Sequence, residues 1–207
     1  MGVAMSRLGR ALAAVIAVVA IASACAASPS ARLSKDLIPV PALQAPPWGL
    51  RIASSGRTLN PFGVAPAGGS LSTNIARAKT VATRQWVRGP RALAAGPLPD
   101  GVTSVIDTAA HFASTAEAQA FVADLSNGYG SGTSRSVPGS PGAVMLTAPF
   151  TAAVPGGRLT GNQELVVIAR GAHVFTVLLV GGGSRPTPAD AEALARLQAG
   201  AIPPSVE

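Results

Sequence analysis

The alternation of apolar and polar residues is strongest in the second half of the chain, where it predicts a β-sheet. Residues 101–112 alternate as a strand with two different faces does. The apolar run 143–147 predicts a second strand. Two runs rich in Val, Ile, Leu and Phe lie between residues 164 and 180, on either side of Arg170-Gly171. Because glycine takes the positive φ of a tight turn at little cost, these runs predict a β-hairpin.

Two helices are predicted beside these strands. Ser114 and Glu117 form a capping box, and the residues that follow carry an apolar stripe at helical spacing, namely Ala118, Phe121, Val122 and Leu125. The last helix is expected to begin after Thr187, with Pro188 in its first turn.

The predicted order after residue 99 is strand, helix, strand, hairpin and helix, with loops at 129–142 and 149–162. This order favours an α+β fold, in which two or three helices pack on an antiparallel sheet of about four strands. The hairpin strands are apolar on both faces, whereas two helices would cover one face. The second face therefore needs a cover from residues 70–91, from a partner or from an apolar ligand.

Residues 70–91 carry two competing patterns. Leu71, Ile75 and Ala78 have helical spacing, whereas alternate residues from Val81 to Val87 fit a strand. We interpret the segment as a helix over 72–84 that is followed by a short strand.

Residues 26–69 contain seven prolines, which leave no room for a long helix. We therefore predict that residues 25–69 form an extended tether and that residues 70–207 form the α+β domain. The apolar group Trp48-Gly49-Leu50-Arg51-Ile52 is the part of the tether expected to dock on the domain.

Residues 1–24 have the pattern of a secretory signal peptide. Arg7 and Arg10 supply a basic start, an uncharged apolar run covers residues 11–24, and small residues precede Cys25. The run is shorter than the about 20 residues that a membrane-spanning helix needs. A retained anchor helix with an incidental cysteine is the alternative.

Two cleavage schemes fit this site. Ile21-Ala22-Ser23-Ala24-Cys25 resembles the lipobox of bacterial lipoproteins, with Ala22 in place of the usual Leu. That resemblance implies that Cys25 carries diacylglycerol on its sulfur and a fatty acid such as palmitate on its amine, outside the cell membrane. Ala22-Ser23-Ala24 also fits ordinary signal peptidase, which would release a soluble protein. Cys25 is the only cysteine, and an unpaired thiol invites unwanted pairing in an oxidising compartment, so we favour lipidation.

Basic charge is concentrated near this anchor. Residues 32–91 hold nine basic residues and one acidic residue, whereas residues 92–207 hold five basic and eight acidic residues. We expect an anionic lipid or wall polymer to bind near Arg77, Arg84, Arg88 and Arg91. The simpler interpretation is that arginines keep an Ala- and Gly-rich chain soluble. We expect no nucleic-acid partner, because the leader predicts export and no groove-reading motif or set of stacking aromatic residues accompanies the charge.

The sequence offers little for catalysis. A zinc site would need both histidines, His111 and His173, together with carboxylates. Asp107 and His111 share one strand face but lie about 13 Å apart along the strand. His173 is expected to face solvent beside its turn. Motifs for a serine nucleophile or a phosphate loop do not occur, so we predict no metal, no cofactor, no catalytic residue and no enzyme activity.

Residues 112–203 resemble uncharacterised envelope lipoproteins of mycobacteria and related actinobacteria. The resemblance is carried by HFASTAEAQAFV, by the turn from Val137 to Ala143, by RGAHVF and by ALARLQAGAIP. It implies a location and a fold, and no activity. We expect a non-enzymatic lipoprotein that binds an envelope protein or a wall component. The alternatives are a carrier of an apolar ligand such as a lipid and, less favoured, a hydrolase.

Overall fold

The computed structural model describes residues 29–56, 76–88, 96–128, 133–140, 142–154, 157–204 and Val206. Over these residues the helices are α1 (Pro29–Leu33), α2 (Val40–Gln44), α3 (Thr115–Gly128) and α4 (Pro188–Ala201), with a 3-10 helix at Ser34–Asp36. The strands are β1 (Arg51–Gly56), β2 (Thr80–Val87), β3 (Gly96–Pro97), β4 (Gly101–His111), β5 (Thr133–Ser136), β6 (Ala143–Val154), β7 (Gly157–Arg170) and β8 (His173–Gly182).

The strands form one sheet in the order β1-β2-β4-β8-β7-β6-β5. All neighbours along this path are antiparallel, and the short β3 pairs in parallel with β7. The fold is therefore α+β with an antiparallel sheet, as the sequence predicts. The expected number of about four strands is wrong, since the described residues form a sheet of eight, and four helices occur among them where two or three were expected.

The hairpin predicted around Arg170-Gly171 is confirmed. Arg170 on β7 pairs with His173 on β8, so Gly171 and Ala172 form a two-residue turn, and Gly171 has a φ of 50°. Both long helices are confirmed too. Glu117 N–H donates to Ser114 Oγ, and the Glu117 carboxylate accepts from the backbone of Ala113, one residue before the cap.

The two long helices lie on opposite faces of the sheet. Phe121 and Leu125 of α3 pack with Phe112 and Leu178 on one face. On the other face, Leu194 of α4 joins a second apolar cluster. Both faces of the hairpin are thus covered, which explains why its strands are apolar on both sides. The expectation that the helices cover a single face is wrong.

Residues 29–50 supply the rest of the cover beside α4. Leu33, Leu37, Ile38, Leu43, Trp48 and Leu50 are buried in the same cluster as Val105 and Phe175. The expected extended tether is therefore wrong for residues 29–56, which fold onto the sheet and contribute its edge strand β1. The expected docking of Trp48 and Leu50 is confirmed, and the folded unit includes Pro29 instead of starting at residue 70.

Three further local predictions need correction. Residues 80–84 belong to β2 and not to a helix, because tertiary pairing with β1 and β4 overrides the helical spacing. The predicted loop 129–142 contains the edge strand β5, and the described parts of the predicted loop 149–162, residues 149–154 and 157–162, belong to the strands β6 and β7. No helix among the described residues is long and apolar enough to cross a bilayer.

The burial of residues 29–50 can be tested with Ile38 from this segment and with Ile52 from the adjoining strand β1 as the control. Ile38 is fully buried, whereas Ile52 is 42% exposed. We expect Ile38→Ala to lower the free energy of unfolding by about 2–5 kcal/mol and Ile52→Ala to change it by less than about 1 kcal/mol. Urea denaturation of both variants measures the difference. Equal and small effects would show that the segment does not pack on the sheet.

Candidate functional site

The two histidines meet at one end of the sheet, which we call the histidine end. β4 pairs with β8 so that His111 stands opposite His173, and their ring centroids are 4.5 Å apart with 27° between the planes. Phe175 continues the stack, with its centroid 6.3 Å from that of His173. Sequence reasoning missed this pair because the partner of β4 is not visible in any local pattern.

An open groove of about 480 Å³ lies beside the histidine pair. The groove is lined by α1, by the 3-10 helix and by the ends of three strands. The lining residues are Pro29, Arg32, Leu33, Asp36, Thr80, His111 and His173. Burial lowers the pKa of His173, and the neighbouring His111 lowers it further. Burial also raises the pKa of Asp36, against the opposing effect of Lys35. Burial therefore disfavours the charged forms of both His173 and Asp36, and Arg32 is the exposed cation of the groove.

Deeper in the same face, Asp107 and Arg84 hold the N-terminal segment on the sheet. Asp107 Oδ2 accepts a hydrogen bond of 2.6 Å from Ile38 N, and Arg84 Nη1 donates one of 2.9 Å to Ile38 O. Arg84 also donates to Ser34 O at 3.4 Å, and its guanidinium lies 5.6 Å from the ring centroid of Trp86. Both backbone groups of Ile38 are thus bound by charged or ionisable side chains from neighbouring strands.

The Asp107 carboxyl is fully buried, and its Oδ1 atom has no hydrogen-bond partner. Burial raises the pKa of Asp107 from 3.8 to about 7, although the Ile38 amide and Arg84 act in the opposite direction. A protonated carboxyl is the form that such a site accommodates at least cost. This residue therefore titrates near neutral pH in the folded protein.

These ionisable groups do not form a metal site. The hydrogen bond of Asp107 goes to the Ile38 backbone and not to a histidine. Within the described ranges, no group of three or more His, Cys, Asp or Glu residues could hold a metal ion.

The other buried acids are also bound to neighbours. Glu164 accepts from Thr147 Oγ1 at 2.7 Å, and burial raises its pKa. Asp190 forms a salt bridge with Arg185 and completes the capping box of α4 with Thr187. These contacts give both carboxylates structural roles.

The arginines expected at an anionic partner do not form one patch. Arg77 is exposed just before β2, at the histidine end, whereas Arg88 is exposed after the opposite end of β2. Arg84 lies between them, and its guanidinium donates hydrogen bonds to the backbone carbonyls of Ile38 and Ser34. Arg91 and Cys25 lie outside the described residues. The described members of this set are therefore spread along β2, and an anionic partner near the four arginines stays a prediction.

Two other grooves are open to solvent. One runs between Gly171 and the end of α4, and the other lies between β6 and the start of α4. The largest exposed apolar side chain among the described residues is Ile52, at 42% exposure. These surfaces offer no broad apolar face to a partner.

No protein-family model matches this chain, and no curated protein matches it either. The histidine end and the Asp107 site are therefore interpreted from their geometry alone.

The Asp107 site generates a prediction about pH. A raised pKa in the folded state means that the contribution of Asp107 to stability is complete below about pH 4 and is lost as the pH rises through about 7. Asp107→Asn cannot ionise, and its amide oxygen can still accept from Ile38. Between about pH 5 and pH 8, the free energy of unfolding should fall by about 2 kcal/mol more in the wild type than in this variant.

Urea denaturation across this pH range measures the difference. Asp124→Asn, which removes one carboxylate from α3 on the other face, controls for the change in net charge. If the wild type and Asp107→Asn lose stability in parallel, Asp107 does not titrate in this range.

Proposed function

We propose that this protein is an extracytoplasmic lipoprotein, anchored to the cell membrane through Cys25. The observation that carries the proposal is the position of the only cysteine, directly after an apolar run with a basic start. Several acyl chains on this residue would give a stable anchor, since each buried CH₂ contributes about 0.8 kcal/mol. The resemblance to actinobacterial envelope lipoproteins supports the same location.

For the folded part we propose a non-enzymatic role in binding an envelope protein or a wall component. The buried acids support this proposal because Asp107, Glu164 and Asp190 are engaged in structural contacts. A hydrolase would need a nucleophile and a base within hydrogen-bond reach.

The alternative role as a carrier of an apolar ligand requires an enclosed apolar cavity. The three grooves described above are open, and both faces of the central strands are packed against helices or residues 29–50. These features favour a binding surface over a ligand-carrying cavity.

Cys25→Ser tests the anchor. We expect the wild type to take up a labelled fatty acid and to sediment with membranes, whereas the variant should lose the label and be shed into the medium. Ala22→Leu is the matched control, because it brings the site closer to the lipobox and should retain label and membrane attachment. A wild type without label, or a Cys25→Ser protein that stays membrane-bound, would contradict lipidation.

The binding role needs a separate measurement. Crosslinking in intact envelopes, followed by isolation of the protein under denaturing conditions, should yield discrete adducts of higher mass with a protein or a wall fragment. A protein recovered only as the free chain would count against this role.

A further inference from the structure

Residues 29–50 pack on the sheet, and this changes how far the anchor lies from the folded unit. Pro29 begins α1 at the histidine end, where it lines the groove with Thr80 and His173. Four residue steps separate Pro29 from Cys25. A chain of that length spans at most about 14 Å whatever its conformation. If Cys25 is acylated, as proposed above, the histidine end is held close to the membrane surface.

Exposed basic side chains surround this attachment point. Arg32 and Lys35 belong to α1 and the 3-10 helix, and Arg77 and Lys79 precede β2. The backbone of Lys79 donates to His111 O, which places it at the end of β4. Two carboxylates, Asp36 and Glu117, occur on the elements at this end. Basic groups therefore outnumber acidic groups where the chain approaches the anchor.

The opposite end of the sheet also carries exposed arginines, so charge alone does not choose between the two ends. Arg51, Arg88 and Arg158 lie there, at the start of β1, after β2 and at the start of β7. A strand the length of β4 or β2 extends for about 25–35 Å. Electrostatic attraction decays within about 8 Å at physiological ionic strength. With the histidine end near the membrane, the charges at the other end contribute almost nothing.

We infer that the histidine end is a membrane-docking surface, on which Arg32, Lys35, Arg77 and Lys79 bind the headgroups of anionic phospholipids. The inference rests on the proposed lipid anchor for its orientation, and it names a surface different from the arginine set expected from the sequence. Docking would place the groove beside His173 against the headgroup layer. The long axis of the central strands would then stand away from the membrane, with the opposite end free for a partner.

Vesicle binding tests the surface once the chain is held at the position of the anchor. The mature chain, residues 25–207, is alkylated at Cys25, its only cysteine, with a maleimide that carries one tetradecyl chain, because a single chain of that length orients the protein but gives only marginal binding by itself. It should bind vesicles of pure phosphatidylglycerol and bind vesicles of pure phosphatidylcholine at least about tenfold more weakly. Binding to phosphatidylglycerol should weaken steeply as salt is added. Equal binding to both lipids, or no binding to either, would overturn the inference.

Two triple variants with the same change in net charge locate the surface. Each basic side chain near an anionic membrane contributes about fivefold to binding. Arg32→Glu, Lys35→Glu and Lys79→Glu together should weaken binding to phosphatidylglycerol vesicles by about a hundredfold or more. Arg51→Glu, Arg88→Glu and Arg158→Glu together should weaken it by no more than about threefold. Equal losses in both variants, or a larger loss in the second, would overturn the inference.

Circular dichroism establishes whether each variant is folded. If the first triple variant is unfolded, the single variants Arg32→Glu and Lys79→Glu replace it, each with an expected loss of at least about fivefold. The result is independent of the anchor test. Failure of vesicle binding with fatty-acid labelling intact rejects only the docking surface, whereas loss of labelling with vesicle binding intact rejects only the lipid anchor.

Discussion

The antiparallel pairing of β4 with β8 holds the two parts of the sheet together. β1 and β2 lie on one side of this pairing, and β5, β6 and β7 lie on the other. Ten residue pairs run from Gly101↔Gly182 to His111↔His173, with one irregularity near Val102. The same pairing stacks the two histidines and places Asp107 in the centre of a covered face. A shift of one residue would turn the inward side chains of either strand outward.

The attachment of residues 29–50 to this sheet combines apolar burial with an unusual polar contact. Six large apolar residues of the segment enter the core. The segment also brings backbone groups into a buried region, where an unpaired amide or carbonyl would cost stability. At Ile38 both groups are paired, because Asp107 accepts a hydrogen bond from the amide and Arg84 donates one to the carbonyl. The cost is a carboxyl that is difficult to ionise, and this cost explains its raised pKa.

The parts of the fold that depend on local sequence could be predicted. The strand over 101–112, the two capped helices and the hairpin at Arg170-Gly171 each carry a periodicity or a turn residue of their own. The prolines of residues 26–69 predict a tether, because they exclude a long helix. They are compatible with the short helices α1 and α2, whose apolar residues pack only when the sheet is present.

The candidate site depended on contacts between distant residues, and sequence reasoning could not supply them. Asp107 and Ile38 are 69 residues apart in the sequence, and the two histidines come from different strands. The first half of β2 could not be predicted as a strand, because its residues also fit the spacing of a helix. The position of Cys25 after its apolar run, in contrast, is a local pattern and needs no tertiary structure to be recognised.

The edges of the sheet bear on how copies of this protein behave when they are crowded together. β5 has only four residues and pairs with Val144–Thr147 of β6, just before Pro149. At the other edge, the pairing of β1 with β2 shifts register between Ile52 and Ser54. A proline and a bulge both interrupt the row of backbone groups that another chain would pair with. Over the part of the chain that the structure describes, neither edge offers a long regular template, and this disfavours the joining of sheets from neighbouring copies into fibrils.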